Sequence, residues 1–168
     1  MAQNGTGNPE SAAFKEKKYD ILLSQMQALL EGEHNTVSIL SNASALLMSE
    51  MGDINWVGFY LMNEDELILG PFQGKPACMH IAVGKGVCGT AVSQNEIQVV
   101  PNVHKFPGHI ACDSASNSEI VIPLRYKGRV VGVLDIDSPS FGRFDAVDAL
   151  WLEKIARVIE EACNWDSQ

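Results

Sequence analysis

Apolar residues recur at three- and four-residue intervals over the first third of the chain, alternate with polar ones through the middle, and return to the helical period near the C-terminus. From Phe14 to Leu30, the positions Ile21, Leu22, Met26, Leu29 and Leu30 predict a helix that Gly32 stops. Asn35 or Thr36 stands where it can cap a second helix, which carries Val37, Ile39, Leu40, Ala43, Leu46 and Leu47 and ends near Gly52. Asn55 to Met62 is aromatic and β-branched, Asn63-Glu64-Asp65-Glu66 turns it, and Leu67 to Leu69 returns as the second strand of a hairpin. A short strand, Met79 to Val83, leads into the glycine-rich start of a short helix, and Ile97 to Val100 is a further strand. Beyond the irregular segment Pro101 to Ser116, Ser118 to Leu124 and Arg129 to Asp137 flank Arg125-Tyr126-Lys127-Gly128 as a second hairpin. Asp145 opens an amphipathic helix to Ala162, with Val147, Leu150, Trp151, Ile155, Val158 and Ile159 on one face. This order predicts an α+β domain: an antiparallel sheet of about six strands, with two N-terminal helices and a C-terminal helix on one face.

The 168 residues suit a single domain, expected over residues 13–168 behind a polar, disordered tail at 1–12. Such a domain buries enough surface to fold without cysteine staples. No apolar run approaches the roughly 18 residues of a membrane span, and Met1 to Glu10 lacks the pattern of a secretory signal, so a reducing cytoplasm is the expected compartment. There, four cysteines are thiols, metal ligands or transient catalytic disulfides before they are structural bridges. A net charge of −9 with no basic stripe argues against nucleic acid and anionic membranes, leaving a small molecule or a protein as partner.

Cys78, Cys88 and Cys112 each lie in a polar or glycine-broken stretch, two in predicted loops and one near a helix start. Loops carry function more often than packing. At its helix start Cys88 would face the positive end of the dipole and have a depressed pKa. Gly84-Lys85-Gly86-Val87-Cys88-Gly89 matches neither a dinucleotide fingerprint nor a P-loop, and its glycines read as a tight turn from strand to helix. The three cysteines are ten and then 24 residues apart. With His80, His104 and His109 nearby, that spacing supports no zinc site, and no metal is expected. His104 and His109 read as solvated or turn-forming residues. Asp135 and Asp137 share one face of the last strand, and Glu119 begins its hairpin partner, so the three acids converge at one end of the hairpin. Crowded carboxylates repel, and in a partly dry pocket at least one must hold its proton, which makes it a hydrogen-bond donor to a polarised oxygen. Trp56 and Tyr60, four apart on the first strand, share a face as core residues or as pocket walls. Cys163 reads as a packing residue.

The stretches Asn55 to Tyr60, Gly70 to Cys78, Gly84 to Ala91, His109 to Asp113, Ser118 to Pro123 and Leu134 to Ser138 together resemble the GAF-domain free methionine-R-sulfoxide reductase family, from about Phe14 to the C-terminus. That resemblance implies a GAF fold in which Cys112 is the thiolate that attacks the sulfoxide sulfur and is left as a sulfenic acid. Cys78 would resolve it as a disulfide, Cys88 would be an additional exchanging thiol, and thioredoxin would be the reductant. Trp56 and Tyr60 match the family's pocket walls; Glu119, Asp135 and Asp137 match its ligand-holding and sulfoxide-activating acids. A homodimer without a cofactor, acting against oxidative stress, is the further implication. The chemistry of the residues agrees, because a sulfoxide oxygen leaves as water only when protonated. The rival reading is a non-enzymatic GAF module that senses a small ligand or redox state; a zinc-stabilised interaction protein is a third.

Overall fold

A computed structural model of the protein describes residues 9–109, 112 and 114–167. Helices α1 (Pro9–Leu30) and α2 (Thr36–Glu50) come first, followed by strands β1 (Trp56–Asn63), β2 (Glu66–Gln73) and β3 (His80–Ala82). Helix α3 (Gly86–Gln94) and strand β4 (Gln98–Val100) lead to the long hairpin β5 (Ser118–Tyr126) and β6 (Arg129–Ser138), and α4 (Ala146–Ala162) closes the fold. The strands form one six-stranded sheet in the order β3-β2-β1-β6-β5-β4, antiparallel throughout. This is the α+β architecture that the residue pattern predicts.

Local chemistry sets the element ends. Helix α1 begins at Pro9, ahead of Phe14, and so takes in positions 9–12 of the segment expected as a tail; residues 1–8 of that segment lie outside the described residues. Proline suits a first helical turn because its missing N–H would have no partner there. Asn35 Oδ1 accepts from the Ser38 N–H at 3.0 Å and caps α2. At α4 the Asp145 carboxylate accepts from the backbone of Val147 and Asp148, while Asp148 accepts from the Asp145 N–H at 2.8 Å. The β5–β6 turn is tighter than the four residues predicted. Lys127 (φ 49°) and Gly128 (φ 77°) both adopt left-handed conformations, as a two-residue hairpin turn requires, and the strands run up to Tyr126 and Arg129.

Alternation along the strands divides the sheet into two working faces. Val57, Phe59, Ile120, Ile122, Leu124, Leu134 and Ile136 point into the main core with α1, α2 and α4. Trp56, Tyr60, Val121 and Val133 point the other way, where α3 brings Val87, Cys88 and Ala91 against them. The three long helices thus share one face, as predicted, and the short α3 covers part of the other. Four residues assigned to apolar helix faces turn outward instead: Ile21, Leu29, Val37 and Leu150 are exposed. On α1 the inward stripe is Tyr19, Leu22, Met26 and Leu30, so neighbours of that stripe fall on the solvent side. Among the described residues no helix is long and apolar enough to cross a membrane.

Asp148 ties the long helices together. Its carboxylate is fully buried, accepts from the Tyr19 hydroxyl at 2.6 Å and from Arg143 at 3.3 Å, and pairs with the Lys15 ammonium. Replacing it by alanine strands a buried hydroxyl and two part-buried cations. Asp148→Ala should cost about 3 kcal/mol, read as a lower denaturant midpoint at unchanged slope, with Asp148→Asn losing less.

Candidate active site

The hairpin register brings the acids together. Glu119 on β5 lies opposite Asp137 on β6, and Val121 lies opposite Asp135. Across the other edge of β6, Trp56 pairs with Asp137, Gly58 with Asp135 and Tyr60 with Val133. Asp135, Asp137, Glu119, Trp56 and Tyr60 therefore occupy one end of one sheet face, as the alternation predicts. Cys88, in the first turn of α3, drops onto the same face, with its Sγ 4.0 Å from Glu119 Oε1 as a weak donor. Gly86 (φ 61°) gives the chain its turn into that helix. Gly89 lets α3 seat closely: a Cβ there would lie 2.5 Å from the Ala82 carbonyl oxygen.

Trp56 and Tyr60 are both core residues and cavity walls. Each is 2% exposed, and their rings stack with centroids 5.9 Å apart, Trp56 also stacking on Phe72 at 5.2 Å. Their polar atoms hold the loop after β2. Trp56 Nε1 donates to the Lys75 carbonyl at 3.1 Å, and the Tyr60 hydroxyl donates to the Cys78 carbonyl at 2.9 Å. The same side chains that wall the cavity thus fix the backbone of Cys78. Cys78 is joined to Cys112 by a disulfide, with Cα atoms 5.6 Å apart, and the bridge spans the loops on either side of the cavity. The space beside the bridge is about 50 Å³, room for a few water molecules. Seven of the eight residues singled out from the sequence line it, Trp56, Tyr60, Cys88, Cys112, Glu119, Asp135 and Asp137, and Cys78 is tied to it by its bridge to Cys112 and by the hydrogen bond to its carbonyl.

Burial governs the electrostatics. Glu119 is held well above the usual carboxyl range, first by burial and then by the charges of Asp135 and Asp137. Burial also raises Asp135, but hydrogen bonds from Glu119 and Cys88 pull it back. Glu119 is accordingly the member of the pair that keeps a proton. Cys88 departs from expectation: its pKa is well above that of an ordinary thiol, not below it. Complete burial and three nearby carboxylates outweigh the partial charge of a short helix's N-terminus, so Cys88 is a protonated thiol.

His109 has a turn-forming role, as expected, and a second position that the sequence did not suggest. It forms a turn, its N–H donating to the Phe106 carbonyl at 3.2 Å, yet its half-buried ring lines the cavity, and burial with His104 beside it lowers its pKa. His104 is exposed and bonds Asn117 at 2.8 Å. The exposed His80 contacts Glu66 at 3.2 Å, away from the cavity lining. Among the lining residues given no role from the sequence, two carry polar side chains, Ser116 and Lys85. Ser116 is buried and accepts from Asn55 Nδ2 at 3.1 Å, and the exposed Lys85 stands at the mouth. Neither carries a spacing signal. Cys163 is buried at the end of α4, the packing position expected of it.

A six-stranded antiparallel sheet with long helices on one face, and on the other a short helix and a small cavity beside a disulfide, has the architecture of a GAF domain, and the GAF domain family matches residues 34–163. The free methionine-R-sulfoxide reductase of Escherichia coli is 52% identical over 147 residues, covering 88% of this chain and 89% of that protein. The free methionine-R-sulfoxide reductase of Neisseria meningitidis, solved with its substrate, superposes with a TM-score of 0.85 at 41% identity, covering 96% of this chain and 95% of that one. The Staphylococcus aureus fRMsr in complex with substrate gives 0.83 at 56% identity, over 86% and 94% of the two chains. The chain belongs to the free methionine-R-sulfoxide reductase family of GAF domains.

A raised carboxyl pKa makes stability pH-dependent. Above the unfolded glutamate pKa of about 4.3 the folded state binds more protons than the unfolded one, so the Glu119 contribution to stability falls as pH rises. Glu119→Gln removes that loss. In denaturant titrations from acid to neutral pH, the variant should gain on the parent steadily above this point; a difference independent of pH would contradict the buried, protonated Glu119.

Proposed function

We propose that this protein reduces free L-methionine-R-sulfoxide to methionine, with Cys112 as nucleophile, Cys78 as resolving thiol and thioredoxin as the recycling reductant. The observation that carries the reading is the Cys78–Cys112 disulfide placed directly over a cavity with aromatic walls and a protonated acid in its floor. The names of the relatives from Escherichia coli and Neisseria meningitidis support the same substrate.

In this scheme the sulfoxide sulfur faces Cys112, and its oxygen faces Glu119. Cys112 sulfur attacks, the sulfoxide sulfur gains two electrons, and the oxygen passes to Cys112 as a sulfenic acid while methionine departs. The Cys112 thiol proton ends on that sulfenic oxygen, with the carboxyl group as relay, so the step balances without a cofactor. Cys78 then attacks the sulfenic sulfur and expels water, leaving the disulfide. A dithiol reductant restores both thiols by exchange. Asp135 and Asp137 supply negative charge for the substrate ammonium, while Trp56 and Tyr60 shield the methylthio end. Selection of the free amino acid would follow if the acids and loops around the cavity engage both the ammonium and the carboxylate, since a peptide has neither group free at an internal residue. The small volume under the bridge fits a state whose product has left. Cys88, protonated and buried, stays out of the exchange in this conformation and needs exposure to serve as the additional thiol.

Phe14, Ile21 and Leu29 form an exposed apolar stripe along α1, which supports the homodimer; sedimentation equilibrium would detect a monomer if that reading fails. Cytoplasmic residence under oxidative stress suits a cycle that needs a thiol reductant.

Thioredoxin-coupled NADPH consumption should be brisk with free methionine-R-sulfoxide and near zero with the S epimer or a sulfoxide-containing peptide. The opposite preference would overturn the substrate. Cys112→Ser should abolish turnover, whereas Cys78→Ser should still release about one methionine per chain in a single turnover. Equal multiple turnover by both variants would remove the assignment. A ligand-sensing module, the rival reading, would bind methionine sulfoxide without consuming NADPH.

A further inference from the structure

We propose that Cys88, Glu119 and Asp135 form a binding site for a thiophilic divalent cation of the zinc class, and that its occupation blocks turnover. The effect on turnover rests on the reductase reading; the binding does not.

The three residues come from α3, β5 and β6, and one donor atom of each lies within 4.8 Å of the other two. They are 4%, 7% and 6% exposed, unlike the solvated acid clusters common on protein surfaces. Asp135 Oδ1 is closed off from solvent and has no hydrogen-bond partner among the described residues, although it sits in the cavity lining. No lysine or arginine pairs with Glu119 or Asp135 among the described residues. A buried acceptor with an unused lone pair beside a thiol is a vacancy for a positive charge.

Zinc chemistry fits this set. Sulfur at about 2.3 Å and carboxylate oxygen at about 2.0–2.2 Å in a tetrahedron place neighbouring donors roughly 3.3–3.6 Å apart. The 4.0 Å between Cys88 Sγ and Glu119 Oε1 then has to close by only about 0.5 Å. Three protein donors leave a fourth position open toward the cavity. Calcium and magnesium are poorly matched, since each wants six or more oxygen ligands and no sulfur.

Charge balances as well. Burial pushes Cys88 and Glu119 toward their protonated forms more strongly than Asp135, which accepts hydrogen bonds from both. On binding, the cation takes a thiolate and two carboxylates, and Cys88 and Glu119 each release one proton to solvent. Two positive charges enter and two protons leave, so the net charge of the three groups is unchanged, and the thiolate and carboxylates replace the water that the cation gives up. The cation occupies the acid that would protonate the sulfoxide and one of the anchors for the substrate ammonium. Substrate and cation therefore compete. Sequence spacing hides such a site because its donors are contributed by three separate elements.

The test uses the oxidised full-length protein, in which Cys78 and Cys112 are bonded and Cys88 and Cys163 are the free thiols. Co²⁺ titration should give one ion per chain with a thiolate-to-cobalt charge-transfer absorption, displaced by Zn²⁺. Affinity should rise by up to about 100-fold per pH unit while both protons must be released. Cys88→Ser should abolish the absorption, Asp135→Asn should keep it but weaken binding at least tenfold, and Cys163→Ser should change neither. If Cys88→Ser does not fold, Asp135→Asn carries the same discrimination. Absence of bound metal after equilibrium dialysis, or a charge-transfer signal that survives in Cys88→Ser, would overturn the proposal. A protein that takes up cobalt in this way yet reduces no methionine sulfoxide keeps the site and loses the reductase reading; one that turns over without taking up metal does the reverse.

Discussion

Glu119 and Asp135, on neighbouring strands, are both buried at the edge of one cavity, and no lysine or arginine pairs with either among the described residues. Two buried carboxylates cannot both ionise cheaply at this distance, so one keeps its proton. From that constraint come the protonated Glu119, the thiol state of Cys88 and the attraction of the cavity for a cationic group. A lysine in the cavity floor would neutralise the acids and remove all three properties. The chemistry of the site is thus a consequence of what the sheet face withholds as much as of what it supplies.

The sheet can bear this cost because its two faces do different work. Ile120, Ile122, Leu124, Leu134 and Ile136 are each completely buried against the long helices, and burial of that kind contributes roughly 1.5–3 kcal/mol per side chain. The same strands place Glu119, Asp135 and Asp137 on the opposite face one residue away. Strong burial on one side fixes the register, since a one-residue slip would exchange isoleucines with acids. The positions of the polar groups are therefore held by the apolar ones.

Register alone does not place the sulfurs. Cys78 and Cys112 are 34 residues apart in the chain, and Cys78 is held where it is by hydrogen bonds from Trp56 and Tyr60 to the loop backbone. Gly74 permits that loop to pass tightly over the indole: its φ is 134°, and a Cβ there would come 2.5 Å from the Trp56 ring. Cavity wall and thiol position are thus coupled through two aromatic side chains. A change in either ring would move a sulfur as well as reshape the pocket.

Much of this was legible in the amino-acid sequence because it is local or periodic. Helical spacing located α1, α2 and α4, two-residue alternation put Asp135 and Asp137 on one face, and counting outward from the β5–β6 turn set Glu119 beside them. The resemblance to a known family added the pairing of Cys78 with Cys112, which no spacing implies. Solvent and distance could not be read in this way. Ile21 and Leu29 fit the apolar pattern of α1 yet face outward, because periodicity marks a stripe but not its width. Cys88 sits at a helix start, where the dipole alone would lower its pKa; only packing against Glu119 and Asp135 reverses the sign. The sequence by itself determined the strand order within each hairpin and which polar groups share a sheet face, through interactions between near neighbours. The tertiary structure decided which of those groups are dry, and hence which are charged, because desolvation depends on everything that surrounds a residue.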